Sequence, residues 1–197
     1  QLGFGVLAVF WDMTNAFPRV HFNRLDNTVD DATNDPCDAW FLKARHRRAI
    51  VVVRDNTDEV VALRLGSGDR QGDVAAPQKF ILAFDPAIDC FSATVSTVWD
   101  DMCLTYKNPN THNNYNTSMV HFADDVAKLG VVLNADGAAD LLEHWNRSLN
   151  PLLADLGIAQ NERKAQVLAE WKGKYSRDNM WKFHDILGED NSTYRTE

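Results

Sequence analysis

Three acids stand where carboxylates are costly unless something positive meets them. Asp124 and Asp125 are adjacent, between two apolar runs, in "MVHFADDVAKLG" from Met119 to Gly130. Asp12 closes another apolar run, "FGVLAVFW", Phe4 to Trp11. Hard oxygen ligands of this kind suit a divalent cation. Two such ions, about 3.5–4 Å apart, can activate an attacking oxygen and stabilise a leaving one in phosphoryl transfer. Plainer readings stand beside this one. Asp is a common turn residue for local hydrogen-bonding reasons, and Asp12 is placed to cap the helix that follows.

The elements around these acids are readable from pattern. Phe4 to Trp11 is long and apolar enough for a buried strand. Pro18 permits a helix start just after it. Residues 27–38, rich in Asp, Asn and Thr, read as loop. "AWFLKARHRRA" reads as a short helix with a basic end. "AIVVVRDNTDEVVALRLG" reads as a hairpin. Pro77 to about Tyr106 is a long helical stretch that Pro86 must bend or break. "KNPNTHNNYNTS" is a polar, turn-rich segment, and the two acids then lie between two short strands. Ala138, Leu141, Leu142, Trp145, Leu149, Leu152, Leu153 and Leu156 fall at helical spacing, so Asp136 to Leu156 is an amphipathic helix that Gly157 ends. "AQVLAEW" and "WKFHDILG" are short strand candidates. The order gives an α+β fold, a mainly antiparallel sheet with helices packed on one face. No repeat and no second domain boundary is visible.

With 197 residues, 45% of them hydrophobic and 24% charged, the chain is ordinary for one globular domain. A net charge of −8 argues against a free-standing nucleic-acid binder, though not against a basic groove on an acidic body. No apolar run reaches the ~20 residues of a membrane span. The apolar start lacks a basic leader and a cleavage site, so no signal peptide is expected. A start at Gln1 reads as a piece of a longer chain. Cys37, Cys90 and Cys103 form no C-x-x-C pair, which suggests neither zinc nor a disulfide framework and fits a reducing compartment.

Four stretches in order then carry a resemblance: "AVFWDMTNAFPRV", "GDRQGDVAAPQKFILAFDPAI", "VHFADDVAKLG" and "LGIAQNERKAQVL". They resemble the palm motifs of reverse transcriptases, most of all those of non-LTR (LINE-type) retrotransposons. The first motif is an apolar strand, Asp12, then Ala16 and Phe17. The second is Arg70, Gln71, Gly72, Pro77 and Phe80. The third is Phe122, Ala123, Asp124, Asp125. The fourth is Asn161, Lys164 and the apolar Val167 and Leu168. "WKFHDILG" resembles the segment that follows, ending in Leu187 and Gly188.

The resemblance implies an RNA-directed DNA polymerase. A primer 3′-hydroxyl attacks the α-phosphate of a deoxynucleotide, and pyrophosphate leaves. Asp12 and Asp124 would ligate two Mg²⁺ ions, with Mn²⁺ able to substitute, helped by the Met13 carbonyl. Asp125, a further metal residue, would support the turn and the primer end rather than carry a metal throughout. Phe17 would be a steric gate against a 2′-hydroxyl; the plainer reading is a core Phe. Gln71 and Gly72 would line the nucleotide pocket, or simply form a glycine turn. Lys164 would face the leaving pyrophosphate, or be a solvated lysine. The implied partners are an RNA template, a DNA primer and deoxynucleoside triphosphates. Residues 1–188 are read as palm core, with a partial fingers-like segment at 21–66 and a tail at 189–197; the remaining fingers and the thumb would belong to a longer parent chain. "KARHRR", Lys43 to Arg48, could track a phosphate backbone or be a solvated helix end. A nuclear setting follows from the resemblance only.

The pattern also breaks. Pro18 replaces an Asp, Ala76 replaces a Ser, and Gln78 and Lys79 stand where apolar residues are expected. Three other readings stay open: a catalytically inactive retroelement remnant or palm-fold scaffold; another palm enzyme, which Phe17 and Gln71–Gly72 disfavour; and an unrelated α+β domain whose acids are caps and turns.

Overall fold

The structure, a computed structural model, describes residues 3–54, 56, 59–70, 72–98 and 104–188. It is an α+β fold with antiparallel sheets. The chain forms two compact units: one of residues up to Thr14, Asp89–Leu152 and from Gln160 on, the other of Asn15–Ile88 and Leu153–Ala159. No composition shift marks a boundary, because each unit is assembled from separate stretches of chain.

The first unit is built on four antiparallel strands: β1 (Phe4–Trp11), β6 (Met119–Phe122), β7 (Asp125–Val132) and β8 (Gln166–Lys172), in the spatial order β6-β7-β1-β8. β1 is central, with Leu7 opposite Gly130 on one side and Ala169 on the other. Alternation puts Leu7, Val9 and Trp11 into the core. Trp11 meets Phe91 and Trp145 edge-on, with ring centroids 5.9 and 6.1 Å away. Phe91 comes from α4 (Ala76–Val98) and Trp145 from α5 (Ala135–Leu156), while Phe183 of α6 (Ser176–Leu187) packs on Trp171. A Cβ at Gly130 would come within 2.9 Å of Leu141 and Trp145, so glycine lets α5 lie close. The helices thus cover one face of this sheet. On the other face Phe4, Phe10, Val120 and Phe122 are exposed. A small ribbon of β4 (Thr105–Lys107) and β5 (Asn114–Asn116) completes this unit.

The second unit holds α1 (Ala16–Arg19), α2 (Phe22–Ala32), α3 (Pro36–Arg47), the hairpin β2 (Ile50–Arg54) with β3 (Val60–Arg64), and α4 up to Ile88. Phe80 and Phe84 of α4 are buried and stacked, at 5.2 Å between centroids.

Four expectations are corrected. Residues 27–38 are mostly helix: Leu25 and Val29, one turn apart, are both buried, and Asp35 caps α3 by accepting from the Cys37 N–H at 2.7 Å, with Pro36 opening the helix. α4 runs continuously through Pro86, whose exposed ring stands off the buried stripe Phe80, Phe84, Ile88, Phe91 and Val95. The helix is described to Val98, and Tyr106 belongs instead to β4. "WKFHDILG" is the end of α6, since Phe183 and Leu187 are spaced for one helical face and both buried. Among the described residues no helix is long and apolar enough to cross a membrane.

Candidate functional site

Asp12 follows the last residue of the central strand. Asp124 is the second residue of the two-residue turn, Ala123–Asp124, that closes β6 onto β7, and Asp125 opens β7 opposite Phe122. Because β1 and β7 are neighbours with Trp11 opposite Val126, that turn and the end of β1 lie at the same end of the sheet. Strand alternation places Asp125 on the same face as Ala127 and Phe10, the uncovered one. Ala123, first in the turn, has φ 54°, a left-handed conformation in which glycine is the unstrained choice.

The carboxylates feel one another. Burial raises the Asp124 carboxyl above the usual carboxylate range, and the charges of Asp125 and Asp12 push it further the same way; its own backbone N–H and Lys164 oppose them. Asp12 is anchored instead. Its carbonyl accepts the Asn161 N–H at 2.8 Å, and its Oδ2 accepts the Asn161 side-chain amide at 2.9 Å. Lys164 Nζ stands 3.5 Å from Asp12 Oδ1. The Asn161 carbonyl in turn accepts the Lys164 and Ala165 N–H groups, so one turn carries both residues. Met13 forms an isolated antiparallel bridge with Gln160, and its side chain is buried. An open cleft of about 610 Å³ runs over this end of the sheet, lined by Phe10, Asp12, Phe122, Asp125, Arg163 and Lys164 among others. Asp125, and not Asp124, lines it with Asp12.

Asp12, Asp124 and Asp125 carry hard carboxylate oxygens of the kind a divalent cation takes. Among the described residues they do not close into a three-ligand cage. Mg²⁺ is ordinarily held by one or two carboxylates plus substrate phosphates, so the donor set fits. Asp12, Asp124, Asp125, Met13 and Lys164 therefore belong to one unit. Phe17 and Gly72 belong to the other: Phe17 stacks on Phe80 at 4.3 Å, and Gly72 has φ 90°. Gln71 lies outside the described residues. Sequence reading missed Asn161 as the anchor of Asp12 and Arg163 as a cleft cation. The first could be read only as an Asn three residues before a Lys.

No family model matches the chain, and no curated protein does. Solved structures share its fold. Apo telomerase from Candida tropicalis, truncated from its C-terminal domain, matches with TM-score 0.60 and 12% identity over 84% of this chain and 31% of that one. Telomerase from Candida tropicalis with a TWJ fragment of telomeric RNA gives TM-score 0.59 and 12% identity over 84% and 26% of the two chains. Telomerase from Candida albicans with the same kind of fragment gives 0.58 and 12% over 82% and 26%. The chain thus spans less than a third of the length of these proteins.

Proposed function

We propose that the chain is the palm, with part of the fingers, of an RNA-directed DNA polymerase of the non-LTR retrotransposon type. The observation that carries this reading is the meeting of Asp12 with Asp124 and Asp125 at one end of an antiparallel sheet, in a fold shared with telomerase, itself a reverse transcriptase. The reaction is attack of a primer 3′-hydroxyl on the α-phosphate of a deoxynucleoside triphosphate, with pyrophosphate as the leaving group.

In this reading Asp12 and Asp124 hold Mg²⁺, two ions during turnover, and Asp125 supports the turn. Bound Mg²⁺, or Mn²⁺ in its place, neutralises the charge that phosphoryl transfer develops. Asn161 fixes the Asp12 carboxylate through Oδ2 and leaves Oδ1 toward the cleft cation Lys164. Lys164 meets phosphate and supplies a proton to the departing pyrophosphate. Phe17 acts as the sugar gate, and Gln71 and Gly72 as nucleotide-pocket residues. The RNA fragment held in two of the similar telomerase structures supports a nucleic-acid partner. An RNA template, a DNA primer, and fingers and thumb from a longer parent chain complete the machine.

One observation favours a second reading, a palm fold kept as a binding module without catalysis: both Asp12 carboxylate oxygens already face protein groups, Asn161 and Lys164. Calorimetric titration with Mg²⁺ and Mn²⁺, wild type against Asp124→Asn, tests the polymerase reading. Weak binding that the substitution abolishes supports it. Extension of a DNA primer on an RNA template then separates enzyme from binding module. Indifference of both proteins to metal, with or without primer–template and deoxynucleotide, sinks the polymerase reading.

A further inference from the structure

Lys79 stands where the resembled family has an apolar residue, and it is buried, at 4% exposure. A charge is kept in a core only with a partner. Its partner is Asp69, also buried, which precedes Arg70. Asp73 follows Gly72. Arg45 of α3 grips the Asp73 carboxylate with two prongs, Nε at 3.0 Å and Nη2 at 2.7 Å, and the Ala75 N–H donates to it at 2.9 Å. Two aspartates, four residues apart, are thus each held by a cation from a different helix.

The pairing reaches deeper. Lys79 Nζ lies 3.5 Å from His46 Nδ1, and His46 Nε2 lies 2.8 Å from Asp26. A carboxylate only accepts and an ammonium only donates, so Nε2 carries the imidazole proton and Nδ1 accepts. Asp26, His46, Lys79 and Asp69 form one chain of contacts from α2 through α3 and α4 to the residues before Arg70. Those residues are also laid on the α1 segment. Ser67 Oγ donates to the Pro18 carbonyl at 2.9 Å, Gly68 N–H to Val20 at 2.7 Å, and Asp69 N–H to Phe17 at 3.2 Å. Gly68 has φ 69°, and a Cβ there would lie 2.2 Å from the Pro18 carbonyl carbon. Phe80, next to Lys79, carries the Phe17 ring on its face.

We propose that Lys79 and Arg45 are positioning residues for nucleotide binding: through Asp69 and Asp73 they set Arg70 and Gly72 and, with Phe80, the Phe17 ring. The proposal rests on the polymerase reading, which makes Phe17 and Gly72 nucleotide-binding residues. It explains why a lysine is tolerated at a core position and why its acid is the residue that precedes Arg70.

The test uses the 197-residue chain. Lys79→Met alone leaves the Asp69 charge buried without its cation and can unfold the protein. The charge-neutral double variant Asp69→Asn with Lys79→Met removes both ends of the pair, and Arg45→Met probes the second clamp. Two measurements are made on folded protein: the rate of trypsin cleavage after the exposed Arg70, mapped by mass spectrometry, and the affinity for dTTP with Mg²⁺ by calorimetry. The expected result is cleavage faster by roughly tenfold, as local opening becomes easier, and dTTP binding weaker by about tenfold. Unchanged cleavage overturns the clamp. Faster cleavage with unchanged dTTP affinity overturns the positioning role. A wild type that ignores dTTP overturns the polymerase reading and the positioning role with it, while the cleavage rates still decide whether the clamp exists.

Discussion

Asn161 binds Asp12 twice, once through its backbone N–H to the Asp12 carbonyl and once through its side-chain amide to Oδ2. The two residues are 149 positions apart, so this double contact fixes both the end of β1 and the direction of its carboxylate. Asn161→Ala keeps the backbone bond and removes the carboxylate one. Partners that orient a metal ligand are worth tenfold or more in affinity. The expected outcome is Mg²⁺ binding weakened by about tenfold, with fold unchanged by circular dichroism. Equal affinity in calorimetry would show that Asp12 needs no orienting group.

Asp124 titrates against its surroundings. Its carboxyl is raised from 3.8 by burial first, then by Asp125 and Asp12. Between 3.8 and the raised folded value, the folded protein binds more protons than the unfolded chain. Stability therefore falls as pH rises through that window, and at neutral pH the ionised group is a cost. Asp124→Asn is expected to raise the metal-free Tm at pH 7 by ~2 °C, about 1 kcal/mol or less for a chain of this size. Below pH 3 the two proteins should melt alike. On the polymerase reading, added Mg²⁺ is expected to reverse the order, with wild type gaining stability by binding and the variant not. A variant that melts below wild type without metal would contradict the raised carboxyl.

The turn that carries Asp124 is strained at Ala123, whose φ is 54°. A left-handed conformation costs an L-residue about 1–2 kcal/mol, partly offset in glycine by its greater unfolded-state freedom. Ala123→Gly is expected to shift the urea midpoint upward by the equivalent of ~0.5–1 kcal/mol, with the slope unchanged. A midpoint that stays or falls would mean the turn is not paying for its conformation.

Much of the acidic site was legible because its signals are local. An eight-residue apolar run reads as a strand, and Asp12 at its end and the adjacent Asp124 and Asp125 read as candidate ligands by type alone. The Trp145 and Leu141 stripe of α5 was legible for the same reason, since helical period shows in one window. What stayed hidden depends on partners far away. α2 looks like loop because its polar composition masks two apolar residues, Leu25 and Val29, that matter only once buried. α6 offers a similar short amphipathic pattern that a strand also fits. Lys79 reads as a flaw in a motif until Asp69 and His46 are found beside it. The amide of Asn161 has no visible target until the fold brings Asp12 to it.

The Asp26–His46–Lys79 contacts also predict how stability follows pH. Burial lowers the His46 pKa from 6.5, and the Lys79 charge acts the same way; the Asp26 hydrogen bond and the charges of Asp26 and Asp69 oppose them without prevailing. The Phe22 ring lies 5.6 Å from the imidazole, and Arg47 stands over that Phe22 ring. The unfolded chain thus takes up a proton below pH 6.5 that the folded protein resists. Stability is full above 6.5 and falls as pH drops through the window beneath it, at no more than about 1.4 kcal/mol per pH unit. Asp26 behaves differently. Burial would raise its carboxyl, but hydrogen bonds from Arg47 and His46 outweigh that and hold it below 3.8, so its share is lost only in stronger acid. Thermal melts of wild type and His46→Gln between pH 7.5 and 5 check this. Glutamine can still donate to Asp26 and does not titrate. The difference in Tm between the two proteins should narrow as pH falls from about 6.5 toward 5. A constant difference across that range would mean that His46 titrates as freely in the folded protein as in the unfolded chain.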